Sequence, residues 1–141
     1  MAKVDFYVLK ESEPRARARF ACRLAEKAFG LGHSVHLHCA GEEEATALDA
    51  LLWTFRDRAF LPHGPLGSDE PIEVGCAEPQ GAPRQVLINL GTTVPEWHAR
   101  YARIAEIVTE DPADKQAGRS RFRFYRDRGH ELETHELGPK E

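Results

Sequence analysis

Short continuous apolar runs alternate along the chain with longer segments whose apolar residues recur every three or four positions. The short runs predict buried strands, because they are of strand length and are bounded by turn residues. These strands are residues 5–9 (DFYVL), 34–39 (SVHLHC), 71–76 (PIEVGC), 85–90 (QVLINL) and, more briefly, 104–108. Residues 130–137 predict a further strand at the edge of the sheet.

The segments with helical spacing predict four helices, over residues 12–29, 42–55, 95–101 and 112–128. Ser12 is a suitable N-terminal cap for the first helix, and the arginines of RARAR (15–19) are expected to face water. Asp111 followed by Pro112 is a strong start signal for the last helix, and Gly129 follows its end.

Strands that alternate with helices, mostly as continuous apolar runs, predict an α/β fold in three layers. A largely parallel sheet would carry helices on both faces. We expect one domain over residues 1–141, with 138–141 as a loose tail. Residues 56–68 (RDRAFLPHGPLGS) form a long connection rich in Pro and Gly, and such loops are often functional.

The composition is that of a soluble globular protein, with 41% hydrophobic and 30% charged residues in 141. No apolar run approaches the roughly 20 residues of a membrane helix. The N-terminus turns acidic where a signal peptide would have its apolar core. Three widely separated cysteines (Cys22, Cys39 and Cys76) indicate free thiols, so we expect a cytoplasmic protein.

The motifs of the common catalytic and cofactor sites are missing. Neither GxGxxG nor GxxxxGK[ST] occurs, so nucleotide binding is not expected, and no serine lies in a GxSxG turn. In a strand, His36 and His38 point to one face and Cys39 to the other, whereas zinc usually needs three or four ligands. We therefore expect histidines on a partly exposed sheet face, no metal, no cofactor and no catalytic residues.

The basic residues are concentrated in one segment of an acidic chain. Between Lys115 and Arg128 there are six basic residues and one acidic residue, which gives +5, so the remainder of the −4 chain carries −9. On the predicted helix Lys115, Arg119, Phe122 and Arg126 share one face, while Ala117, Arg121, Phe124 and Arg128 share another.

Three interpretations of this helix are open. In the first, its arginines form a surface that contacts only water. In the second, they bind the phosphates of a single-stranded nucleic acid whose bases stack on the aromatic rings. In the third, they bind an acidic peptide with a hydrophobic end. An overall pI near 6.0 disfavours a general nucleic-acid binder, and six basic residues suit a short peptide.

A second surface is predicted around residues 48–63 (LDALLWTFRDRAFLPH). Trp53, Phe60 and Pro62 lie in or next to a loop and are flanked by charged residues, a pattern typical of a protein interface. The alternative is that Trp53 closes the core.

Five stretches, taken in order, resemble a known family. They are FYVL at 6–9, LDALLW with FLPH at 48–63, PIEV at 71–74, VLINL at 86–90 and the basic segment at 115–129. In these residues the chain resembles the chi subunit of the bacterial DNA polymerase III holoenzyme, a clamp-loader accessory subunit. The resemblance covers nearly the whole chain.

The resemblance implies a mononucleotide-binding-like fold without a nucleotide site and a non-enzymatic adaptor in DNA replication. Such subunits hold the acidic C-terminal tail of single-stranded DNA-binding protein and link it, through the psi subunit, to the clamp loader, touching nucleic acid only indirectly. The family's tail-binding positions fall here on Val108, Lys115, Arg119, Phe122 and Arg123. Its psi-facing positions fall on Trp53, Phe60 and Pro62.

Two other functions stay open on the residues alone. One is a small α/β enzyme with an unrecognised site, and the other is a protein that binds single-stranded DNA directly.

Overall fold

The computed structural model describes residues 2–55 and 61–137, which form seven strands, three α-helices and one 3₁₀ helix. In chain order these are β1 (Lys3–Leu9), α1 (Ala16–Gly30), β2 (Val35–Cys39), α2 (Glu42–Thr54), β3 (His63–Pro65), β4 (Ile72–Gly75), β5 (Val86–Leu90), the 3₁₀ helix (Glu96–Arg100), β6 (Arg103–Val108), α3 (Pro112–Asp127) and β7 (Glu131–Leu137). None of the helices in these ranges has the length and apolar character that crossing a membrane requires.

The strands form one sheet in the order β3-β4-β2-β5-β6-β1-β7, and every neighbouring pair is parallel. Successive side chains point to opposite faces. Val4 and Phe6 of β1 therefore enter the core beneath α3, whereas Tyr7 and Leu9 pack on the side of α1 and α2. Helices thus cover both faces of a parallel sheet, which confirms the predicted α/β class.

Several local predictions differ from the structure. The first helix begins at Ala16 rather than near Ser12, and no side chain caps it. The predicted helix over 95–101 is a 3₁₀ helix. Strand β3 was not predicted, since three residues (HGP) carry no strand signal of their own and depend on pairing with β4. Residues 56–60 and the predicted loose tail, 138–141, lie outside the described residues.

Arg17 does not face water as predicted. Its side chain donates hydrogen bonds to the carbonyl oxygens of Ile107 at 2.8 Å and of Leu90 and Gly91 at 3.1 Å each. Burial, together with the positive charge of Arg121, lowers the pKa of Arg17 below its ordinary value. Open α/β sheets generally bind ligands at the carboxyl ends of their strands. Here the Arg17 guanidinium fills that position between β5 and β6.

Candidate functional site

Helix α3 is fastened to the end of β6 by its first turn. The Asp111 carboxylate accepts a hydrogen bond from the Asp114 backbone N–H at 3.1 Å, and Pro112 occupies the first helical position. The Asp114 carboxylate in turn accepts from the backbone N–H of Thr109 at 2.7 Å and from its hydroxyl at 2.8 Å. These bonds satisfy free N–H groups at the helix start and fix its position against the strand.

The inward face of α3 is held by a buried carboxylate on β6. Glu106 accepts hydrogen bonds from Arg121 Nε at 2.7 Å, from the Tyr125 hydroxyl at 2.6 Å and from Asn89 Nδ2 at 2.8 Å. Arg121 also donates to the carbonyl oxygen of Thr92 at 3.0 Å. Burial, reinforced by the nearby Glu106 charge, raises the pKa of the Tyr125 hydroxyl, which therefore stays protonated as a donor.

Arg121 is thus a structural residue, although its sequence position placed it in the basic surface. It is only 2% exposed, and Glu106 is fully buried. This pair was not predicted from the sequence. The signal that could have indicated it is the carboxylate inside the apolar strand RIAEIV, because a buried charge needs an opposite charge beside it. The basic surface of α3 therefore has one arginine fewer than the sequence count.

A glycine sets how closely α3 approaches β6. A Cβ atom at Gly118 would lie 2.7 Å from Cγ2 of Val108 and 3.1 Å from its Cγ1. Only a residue without a side chain lets the helix lie this close to the strand. Gly118 thus places α3 directly on Val108, which is 7% exposed at the end of β6.

The outward face of α3 carries Lys115, Arg119 and Arg123, all exposed and four residues apart. Within residues 2–55 and 61–137 the side chains of Lys115 and Arg119 make no hydrogen bond or ion pair, and Arg123 reaches only the Ser120 hydroxyl at 3.4 Å. At 1.5 Å rise per residue the three cations form a row with about 6 Å between neighbours.

Phe122 flanks this row on its buried side. The ring is half-buried in the core beneath α3, and its centroid lies 5.2 Å from that of Phe6. One face of the helix therefore presents unneutralised cations beside an aromatic surface, next to the β6 end where Val108 lies. Such an arrangement can bind carboxylates through the cations and an apolar side chain through the ring.

The second predicted surface is only partly described. Trp53 is 54% exposed, so it does not close the core, and its ring contacts that of His63 with the centroids 4.8 Å apart. Pro62 is half-buried beside the buried Leu61. Phe60 lies outside the described residues. The exposed indole is compatible with a protein interface.

The histidines of β2 are more buried than the sequence pattern indicated. His36 is fully buried, and its Nδ1 lies 3.0 Å from Oε1 of Glu73, the residue opposite it on β4. Its ring packs against Trp97 and Tyr101. Burial lowers the pKa of His36 to about 4, so the ring is neutral near pH 7 and donates to the carboxylate.

A different group brings together possible metal ligands. Asp5, Glu133 and His135 place one ligand atom each within 4.8 Å of one another. Two cations already neutralise the carboxylates, since Arg103 lies 3.1 Å from Asp5 and Lys3 lies 2.7 Å from Glu133. His135 Nε2 is 3.0 Å from Asp5. A metal ion here would have to displace these ion pairs.

Two of the cysteines are poor candidates for nucleophiles. Cys22 and Cys39 are buried, and burial raises the pKa of each thiol to about 12. The thiolate is the reactive form of cysteine, so both side chains stay in the unreactive thiol form near pH 7.

The chain is similar to proteins of one known family. The family model described as "DNA polymerase III chi subunit, HolC" matches residues 1–133. The chain is 47% identical to the DNA polymerase III subunit chi of Pseudomonas aeruginosa over 139 residues, which covers 97% of this chain and 98% of that protein. It is 31% identical to the Haemophilus influenzae subunit chi, covering 98% of this chain and all of that protein, and 27% identical to the Escherichia coli one, covering 95% and 97%.

Proposed function

This chain belongs to the family of the DNA polymerase III chi subunit, an accessory protein of DNA replication, and we propose that it acts there as a non-catalytic adaptor. In this proposal the outward face of α3 binds the acidic C-terminal tail of single-stranded DNA-binding protein. The protein reaches DNA only indirectly, through that tail, and works in the cytoplasm.

The observation that carries the proposal is the pair of unpartnered cations, Lys115 and Arg119, beside the ring of Phe122. Within the described chain no carboxylate neutralises them, although the protein as a whole carries −4. A peptide that ends in a hydrophobic residue needs a cation for its terminal carboxylate and an apolar surface for its last side chain.

Each residue then has a distinct role. The planar guanidinium of Arg119 binds the terminal carboxylate through two parallel hydrogen bonds. The last side chain of the tail lies against Phe122 and the β6 end at Val108. Lys115 and Arg123, one helical turn to either side of Arg119, attract the aspartates that precede the terminus.

The surface around Trp53 binds the second partner. We propose that Trp53, with Pro62 and Phe60, contacts the psi subunit and so links the tail-bound protein to the clamp loader. The exposed indole of Trp53 supports this role, because aromatic side chains are enriched among the residues that dominate interface energies.

The direct test is titration with a short acidic peptide that ends in Phe. Two control peptides accompany it: one with the same composition in scrambled order, and one with the same sequence and an amidated C-terminus. We expect saturable 1:1 binding of the first peptide. Both controls should bind at least about tenfold more weakly, since each loses a charge-assisted hydrogen bond or the apolar contact.

Two results would contradict the proposal. Equal affinity for the amidated peptide would show that no cation binds the terminal carboxylate. Affinity for oligonucleotides that rises with their length and exceeds that for the peptide would instead favour direct binding of single-stranded DNA.

A further inference from the structure

A groove of about 660 Å³ lies on the face of the sheet opposite α3. One wall is the C-terminal half of α1, and the floor comes from side chains of β1, β5 and β6, among them Tyr7, Ile88 and Ala105. This size lies within the range of 300–1,000 Å³ that ligand pockets usually have. Among residues 2–55 and 61–137, none of those assigned to the tail site or to the Trp53 surface lines it.

The charges around the groove are unbalanced. Among the residues that the structure describes, four basic ones line it, each from a different part of the chain: Lys27 of α1, Arg84 before β5, Arg100 of the 3₁₀ helix and Arg103 of β6. Asp5 is the one acidic residue among the described lining residues. This excess of positive charge stands out in a chain whose net charge is −4.

Backbone carbonyl groups hold two of these arginines in place. Arg84 donates to the carbonyl oxygens of Ser68 and Glu70, each at 3.0 Å, and Arg100 donates to that of Pro79 at 3.0 Å. A carbonyl oxygen is neutral, so these bonds orient the guanidinium groups without cancelling their charge.

Carboxylates form ion pairs with three of the four cations. Arg84 lies 3.8 Å from Glu73 and Arg100 lies 3.8 Å from Glu78, distances at which the charges attract although no hydrogen bond forms. Asp5 binds Arg103. Lys27 is exposed, and its side chain has no hydrogen bond or ion pair within the part of the chain that the structure describes.

An apolar side chain extends the groove at its mouth. Leu31, directly after α1, is 67% exposed and lines the groove. Among the described residues, Leu31 and Trp53 are the large hydrophobic side chains left exposed. Trp53 belongs to the surface assigned above to a partner, whereas Leu31 has no such assignment.

We propose that this groove binds an acidic segment of a protein partner, through an apolar side chain of that segment. The side chain lies against Leu24, Ala28 and Leu31, and the flanking carboxylates face Lys27 and the three arginines. The four cations come from four separate parts of the chain around the groove, an arrangement that suits carboxylates spread along a peptide. A small anion inside the groove would also leave Leu31 exposed.

This site is independent of the tail site. The sheet separates the groove from α3, so both surfaces can be occupied at once. In this proposal the protein binds two acidic partners on opposite faces of its sheet. A substitution in one site should leave binding at the other site unchanged.

The test uses the full-length Arg119→Ala protein, in which the proposed tail site is disabled, as the target for selection from a random dodecapeptide library displayed on phage. Enriched peptides are synthesised with amidated C-termini, and their affinities are measured by fluorescence anisotropy. We expect peptides that combine Asp or Glu with a large apolar residue.

Two substitutions locate the binding site. Lys27→Glu should weaken these peptides by about tenfold or more, because placing like charges together is costly. Leu31→Ser should do the same, because it removes a buried apolar contact. Lys10→Glu, a matched charge reversal of an exposed lysine that follows β1 and does not line the groove, should leave the affinity unchanged, and melting curves verify that each variant is folded.

Three outcomes would overturn the proposal. The first is a selection that enriches no acidic apolar peptides, and the second is enriched peptides indifferent to both Lys27→Glu and Leu31→Ser. The third is sodium octanoate competing at concentrations comparable to the peptides', which would identify a small-anion pocket instead. Loss of the α3 tail site alone changes none of these results.

Discussion

Arg119 and Arg121 lie two residues apart on one helix and have opposite surroundings. Arg119 points to solvent and has no partner within the described chain, whereas Arg121 is 2% exposed and bound to Glu106 at 2.7 Å. Residues two positions apart lie on nearly opposite sides of a helix, so one basic segment forms two different surfaces.

The difference separates stability from binding. On the inward face, Arg121 is buried and donates hydrogen bonds to Glu106 and to the Thr92 carbonyl oxygen, so this arginine stabilises the fold and is not available to a partner. The outward face contributes little to the stability of the fold, and its cations remain available to bind a partner. Substitutions on the two faces should therefore affect different measurements.

The largest effect is expected from Arg121→Ala. Removing the cation leaves Glu106 buried without its charged partner, and breaking one side of such a pair typically costs about 3–5 kcal/mol. The free energy of unfolding, measured by urea denaturation, should fall by this amount. Arg123→Ala, a matched change on the outward face, should alter it by less than about 0.5 kcal/mol. Equal losses in the two variants would abolish the distinction between the faces.

Arg119→Ala should lower the affinity for the peptide and leave the free energy of unfolding nearly unchanged. We expect the affinity for the acidic peptide ending in Phe to fall by about 30-fold or more, equivalent to about 2 kcal/mol, since truncating one partner of a hydrogen-bonded charge pair usually costs this much. Arg119→Lys keeps the charge but loses the planar fork, and should recover only part of the affinity. Arg128→Ala, at the end of the same helix, should bind normally. Unchanged affinity in Arg119→Ala would refute the role assigned to this residue.

Gly118 sets the distance between α3 and Val108. Gly118→Ala should therefore lower both the free energy of unfolding and the peptide affinity by moderate amounts. Alanine gains about 1 kcal/mol of helix propensity, but its Cβ would lie 2.7 Å from Cγ2 of Val108, and such overpacking costs typically about 1–3 kcal/mol. The net loss of stability should be about 1 kcal/mol. Peptide affinity should also fall, because α3 must move away from Val108.

A double substitution shows whether contact with Val108 is the cause. In Val108→Ala the space for the extra methyl group exists, so Gly118→Ala should be neutral or stabilising in that background. Additive effects of the two substitutions would mean that the contact is not what requires glycine at 118.

The sequence pattern predicted the strands of the sheet well because buried parallel strands are continuous apolar runs. Residues 86–90 (VLINL) and 104–108 are examples, and both lie in the centre of the sheet. Helix α3 was equally predictable, because Asp111 and Pro112 act through local contacts. Both kinds of signal need no knowledge of distant residues.

What the pattern did not predict depends on partners far along the chain. Arg17 is held by carbonyl oxygens at the ends of β5 and β6, and Arg121 by Glu106, so neither position is evident from its own segment. A partial signal existed: Glu106 and Glu73 each interrupt an apolar strand, and a buried carboxylate requires a donor. His36 and the backbone N–H of Gly67 proved to be donors for Glu73.

The smallest expected effect is that of salt, and it separates the two faces without any change of contacts. The screening length falls from about 10 Å at 0.1 M to about 3 Å at 1 M ionic strength, so exposed cations such as Lys115 and Arg119 lose part of their attraction for an acidic peptide. We therefore expect the peptide affinity to fall about fivefold between 0.1 M and 1 M ionic strength. The stability difference between the unsubstituted protein and Arg121→Ala should stay constant, since solvent ions do not reach the buried pair. Peptide affinity that does not change with salt would assign the binding to Phe122 and Val108 alone, and would remove the cations from the proposed mechanism.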